Sequence, residues 1–70
     1  MGEQLLNSLK DERARLGLTQ AELADRVGVS RKTINTVENG VFIPSTLLAL
    51  KLAEALDRRV EDLFRIADEE

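Results

Sequence analysis

Apolar and polar residues alternate along this chain at the spacing of short amphipathic helices. Leu5, Leu6, Leu9 and Leu16 recur at roughly helical intervals, which predicts a first helix over 4–16, stopped by Gly17. Thr19 followed three residues later by Glu22 has the form of a capping box and opens a second helix over 20–27, with Leu23, Ala24 and Val27 facing inward. Gly28 ends it. Ser30 caps a third helix over 31–39, whose apolar contacts are Ile34 and Val37 and whose end is Asn39-Gly40. Pro44 keeps 40–44 a loop. Ser45 then caps a fourth helix over 46–56, with Leu47, Leu50, Ala53 and Leu56 as its inner face. After a polar break at Asp57-Arg58-Arg59, a fifth helix over 60–66 brings in Val60, Leu63 and Phe64. No strand is predicted. The expectation is an all-α fold, one compact five-helix domain over residues 1–70.

Composition narrows the chemistry. The chain has 70 residues and neither cysteine nor histidine, so disulfides, zinc fingers and iron–sulfur clusters are excluded and no metal site is expected. The usual nucleophile and general base are missing with them, and an enzyme is not expected. No cofactor and no small-molecule ligand are expected either. The longest apolar run, Leu47 to Leu50, is far too short to span a bilayer, and no signal-peptide pattern is present. The expected setting is the cytoplasm.

A net charge of −3 argues at first against nucleic acid, but its distribution matters more. Residues 1–33 carry six basic and five acidic side chains, a balance of +1; residues 34–70 carry four and eight, a balance of −4. A near-neutral or positive front and an acidic back are compatible with that split.

The third helix carries the informative pattern. With successive positions about 100° apart, Ile34 and Val37 fix the buried direction, and Lys32, Asn35, Thr36 and Asn39 fall opposite, with Arg31 at the edge. Arg31 and Lys32 can donate to guanine O6 and N7, and Asn35 can pair with adenine N6 and N7. Thr36 offers a hydroxyl and a methyl that can meet thymine. No acidic side chain lies on this face. Thr33 at its border has three roles open: a phosphate contact, a thymine methyl contact, or packing at the helix edge.

Residues 9–56 resemble the helix-turn-helix domain of phage repressors and Cro proteins, the xenobiotic-response-element type. The resemblance rests on Gly17-Leu18-Thr19-Gln20-Ala21-Glu22-Leu23-Ala24, Val27-Gly28-Val29-Ser30, Ile34, Val37-Glu38-Asn39-Gly40 and Pro44-Ser45 in register. It implies a lambda-repressor-like fold and double-stranded DNA as partner. Arg31, Lys32 and Thr36 match base-contacting positions, and Asn35 matches one that contacts DNA in some members. Gln20 matches a phosphate contact, as do Asn39, Ser45 and Thr46 at helix ends. Ala24 and Gly28 match small residues where two helices cross, and a larger residue at either is expected to push them apart. Arg13 and Glu38 match a pair that holds the third helix in place.

Two features depart from that family. Val41-Phe42-Ile43 stands where basic or polar residues are more usual, and Phe42 is expected to fold onto the core. The sequence pI of about 4.9 is the other. The family's habit of binding inverted repeats implies a homodimer, for which Phe64 and Ile66 are the candidate interface. The first expectation is a sequence-specific transcriptional regulator, a repressor acting by promoter occupancy. An antitoxin that represses its own operon, or a helical adaptor without DNA binding, is the alternative.

Overall fold

A computed structural model describes residues 3–68. Its order is β1 (Glu3–Asn7), α1 (Leu9–Arg15), α2 (Gln20–Val27), α3 (Arg31–Glu38), α4 (Thr46–Leu56), α5 (Val60–Leu63) and β2 (Phe64–Asp68). The five helices surround a core in which Leu9, Leu23, Ile34, Val37, Leu52, Leu56 and Leu63 are almost wholly buried. The two strands pair antiparallel, with Leu5 opposite Ile66 and Asn7 opposite Phe64.

Local chemistry sets the helix ends. Thr19 Oγ1 accepts from the Glu22 amide at 3.0 Å, and the Glu22 carboxylate accepts from the Thr19 amide at 2.8 Å, so the capping box is complete. Ser30 and Ser45 each accept from the amide three residues on, at 3.1 Å. α4 closes on Asp57, whose φ of 56° is a left-handed conformation that aspartate tolerates better than most residues.

The strands correct the expected ends of the first and fifth helices. Residues 4–7 and 64–66 are extended, and α1 begins only at Leu9. Asn7 explains the start: its Oδ1 accepts from the Leu9 amide at 3.1 Å, while its Nδ2 donates to the Val37 carbonyl at 3.0 Å. Ser8 donates from its amide to the Leu63 carbonyl at 2.9 Å, and from Oγ to the Asp62 carbonyl at 3.0 Å. These bonds hold the two ends of the chain side by side before α1 starts. A ribbon between segments so far apart leaves no local periodic signal.

The inner face of α4 is also corrected. Leu48, Leu52, Ala53 and Leu56 are buried, whereas Leu47 and Leu50 are 63% and 55% exposed. This helix is apolar on nearly every side, so two stripes compete, and the row Leu48–Leu52–Leu56 meets the core. Leu16 is partly exposed, at 39%, and Leu18, in the turn behind it, is buried instead. The Leu18 amide reaches back to the Arg13 carbonyl at 3.0 Å, folding that turn under α1.

Candidate nucleic-acid interface

α2 and α3 pack against each other through Leu23, Ala24, Val27, Ile34 and Val37, all buried. The turn between them passes through Gly28 at φ +75°. A Cβ added there would meet nothing within 4 Å, which corrects the steric expectation: glycine is needed for its backbone angle, not to let the helices approach. Ala24 is the residue that meets the core, at 2% exposure.

Arg31 and Lys32 project into solvent from the first turn of α3, and Asn35 and Thr36 are partly exposed one turn on. Asn39 Nδ2 donates to Asn35 Oδ1 at 3.2 Å, which orients the Asn35 amide while its own Nδ2 stays available to donate. The Thr36 hydroxyl gives its proton to the Thr33 carbonyl at 2.9 Å, leaving its methyl and an acceptor lone pair for a ligand. Thr33 Oγ1 lies 3.0 Å from Ser30 Oγ, so Thr33 takes part in the cap of α3.

Glu38 is the only acid on α3, and it faces inward with 4% of its side chain exposed. Its Oε2 accepts from Arg13 Nε at 2.8 Å, and its Oε1 accepts from Arg13 Nη2 at 3.2 Å and from Gln20 Nε2 at 3.1 Å. The hydrogen bond to Glu38 raises the Arg13 guanidinium further above its already high ordinary value. Arg13 Nη1 also donates to the Leu18 carbonyl at 2.8 Å. One cluster thus ties α1, the turn before α2, and α2 itself to the last turn of α3. The result is a helix whose outward face carries cations and amides and whose single carboxylate is neutralised behind it.

Gln20, Ser45 and Thr46 lie at helix starts. The Gln20 side chain is engaged by Glu38, and Ser45 Oγ is engaged as a cap. What these positions offer an anion is therefore chiefly the main-chain amides of the first turns of α2 and α4. Sequence reasoning missed Asn7, whose bond to Val37 braces the same end of α3 from β1. It also missed a second ionic cluster: Glu12 Oε1 lies 2.7 Å from Arg15 Nε and 3.1 Å from Arg58 Nε. Arg15 donates on to the Leu56 carbonyl at 2.8 Å, so this cluster fastens α1 to the end of α4. Only the i,i+3 spacing of Glu12 and Arg15 signals it in the sequence.

Two expectations for apolar residues, those for Phe42 and Phe64, are corrected. Phe42 does not fold away; it is 48% exposed, between Val41 and Ile43 at 76% and 70%. The loop is pinned by backbone alone, the Val41 and Phe42 amides both donating to the Thr36 carbonyl, at 2.9 and 3.2 Å. Phe64 belongs to the core at 9% exposure, since strand β2 turns it inward, and is not an open interface residue; Ile66 is 65% exposed.

Two capped helices around a glycine turn, the second presenting a cationic polar face, define a helix-turn-helix protein. The model of the helix-turn-helix family matches residues 9–63, and the chain belongs to that family. A helix-turn-helix-type transcriptional regulator of Bacillus subtilis is 43% identical over 63 residues, 90% of this chain and 96% of the relative. Another from Methanothermobacter thermautotrophicus is 51% identical over 63 residues, covering 89% and 90%. Among solved structures, the restriction-modification controller protein C.AhdI from Aeromonas hydrophila superposes with a TM-score of 0.73 at 37% identity, over 77% of this chain and 82% of that one. The family and these relatives mark the chain as a transcriptional regulator of the xenobiotic-response-element type, not an enzyme. No helix among the described residues is long and apolar enough to cross a membrane.

Proposed function

We propose that this chain is a single-domain, sequence-specific double-stranded-DNA-binding regulator that acts as a homodimeric repressor on an inverted repeat, in the cytoplasm. The observation that carries the reading is the outward face of α3: exposed Arg31 and Lys32, the Asn35–Asn39 amide pair, and no free carboxylate. In this reading Arg31 and Lys32 donate to guanine edges, Asn35 pairs with adenine, and the Thr36 methyl meets thymine. Thr33, Asn39 and the amides at Gln20, Ser45 and Thr46 hold the phosphates and set the register. Arg13, Glu38, Ala24 and Gly28 support α3 from behind.

The names of the relatives, regulators and a controller protein, support the same reading. An acidic or apolar outward face on α3 would instead have favoured an adaptor role. The test is selection from a randomised double-stranded DNA pool at near-physiological salt. Enrichment of an inverted repeat supports the proposal; a folded sample that enriches nothing contradicts it.

A further inference from the structure

Two asparagines stand on the outward side of α3, where the helix itself gains little from them. Asn35 and its C-cap Asn39 continue the i,i+4 row that begins at Arg31. Asparagine is a poor helix former, and a side-chain pair of this kind adds little to helix stability. The bond between them has a direction: Asn39 Nδ2 donates to Asn35 Oδ1 at 3.2 Å. An unattached asparagine amide turns by half a revolution about its last torsion at little cost, exchanging its acceptor for its donors. Here the turn is blocked. Asn35 Oδ1 points towards Asn39, one helical turn on, and Nδ2 lies on the opposite side of the amide.

Asn39 can impose this orientation because its own backbone is anchored. Its amide donates to the Asn35 carbonyl at 3.1 Å. The residues just before it are each tied to another part of the fold. Glu38 is held by Arg13 and Gln20, the Val37 carbonyl by Asn7, and the Thr36 carbonyl by the Val41 and Phe42 amides. Asn39 is thus an exposed side chain on a fixed post. Its amide nitrogen carries a second N–H, which suits a phosphate oxygen while the first holds Asn35.

We propose that Asn39 is a specificity-determining positioning residue: it touches no base, and it sets which base edge Asn35 accepts. The proposal rests on the DNA-reading role of α3 and deepens it. Adenine presents the acceptor N7 beside the donor N6–H, so one amide orientation fits, with Nδ2 on N7 and Oδ1 on N6–H. Oδ1 has two lone pairs; Asn39 takes one and adenine the other. Guanine puts the acceptor O6 where adenine has its donor, so a locked Oδ1 meets O6 with like polarity. An amide free to turn escapes that clash by donating to O6. The Asn39 bond therefore separates the two purines.

The test runs the pool selection with wild type, Asn35→Ala, Asn39→Ala, Asn39→Asp and the double alanine variant. Asn39 is exposed, so none of its substitutions opens the core. The base pair that loses its information in Asn35→Ala is the one Asn35 reads. At that pair Asn39→Ala is expected to lower the preference for adenine over guanine about tenfold, and to add nothing in the Asn35→Ala background. Asn39→Asp cannot donate; it accepts from Asn35 Nδ2, reverses the amide, and is expected to abolish the adenine preference. Weaker binding to all sequences alike, with that preference intact, makes Asn39 a phosphate contact only and overturns the proposal. A motif without adenine at that pair, or an Asn35→Ala motif unchanged everywhere, overturns it too. Without DNA, nitrogen-15 relaxation is expected to show the Asn35 side-chain amide ordered in wild type and mobile on the picosecond–nanosecond scale in Asn39→Ala. An amide equally mobile in both proteins overturns the positioning role even where an operator is enriched. A wild-type pool that enriches nothing overturns the DNA reading itself, and the proposal with it.

Discussion

Arg13 on α1 and Glu38 at the end of α3 meet through two hydrogen bonds, 2.8 and 3.2 Å long, with their side chains only 15% and 4% exposed. A charge pair so shielded is held for geometry as much as for stability, because moving two ions out of water offsets much of their attraction. Here it fixes the angle at which α3 leaves the body of the protein. It also neutralises the one carboxylate that α3 carries.

Breaking that pair is costly because the surviving partner is left without a counter-charge. Arg13→Ala and Glu38→Ala are each expected to lower unfolding stability by about 3 kcal/mol, read from urea denaturation. The double variant is expected to lose clearly less than the sum of the two, the sign of direct coupling.

The Gly28 turn fails for a conformational reason alone. Gly28→Ala is expected to cost about 1 kcal/mol, because alanine at φ +75° is strained while its methyl group meets no neighbour. A thermal melt distinguishes this from the several kcal/mol that a clash between α2 and α3 would produce.

How much of this was legible beforehand follows from which signals are local. The capping box of Thr19 and Glu22, the serine caps of α3 and α4, and the burial of Ile34 and Val37 are written within a few residues of one another, and the structure repeats them. The ribbon was not legible, since Leu5 pairs with Ile66 across nearly the whole chain. The face of α4 was ambiguous because Leu47, Leu48, Leu50 and Leu52 satisfy more than one helical stripe. On the candidate interface, residue types and directions could be read off α3. The Asn39–Asn35 bond and the Gln20–Glu38 bond needed coordinates, because side-chain rotamers decide them.

Acid should loosen the fold in a defined range. Glu22 is held below the ordinary carboxylate value of 4.5, first by its hydrogen bond from the Thr19 backbone amide, and Glu12 is held below it by Arg15 and Arg58. A depressed folded-state value means that the stabilisation is present above the unfolded value and disappears as pH falls through the folded one. Stability is therefore expected to decline below about pH 4.5, and Glu22→Gln and Glu12→Gln are each expected to flatten that decline in pH-dependent urea unfolding.

Removing Arg31 and removing Lys32 should weaken a cognate duplex by about 1–3 kcal/mol each, measured by fluorescence anisotropy. The Arg31→Ala loss should concentrate at one base pair. A loss spread evenly over all sequences, with a shallower salt slope, would assign that residue to phosphate instead.

The central claim is that the outward face of α3 reads base sequence. The most direct measurement repeats the randomised-pool selection with Arg31→Ala/Thr36→Ala beside the wild-type chain. The account predicts that the wild-type motif loses its information at the positions these two residues read, in a protein that still melts like wild type. The same motif enriched by both proteins would contradict it and place the reading surface elsewhere.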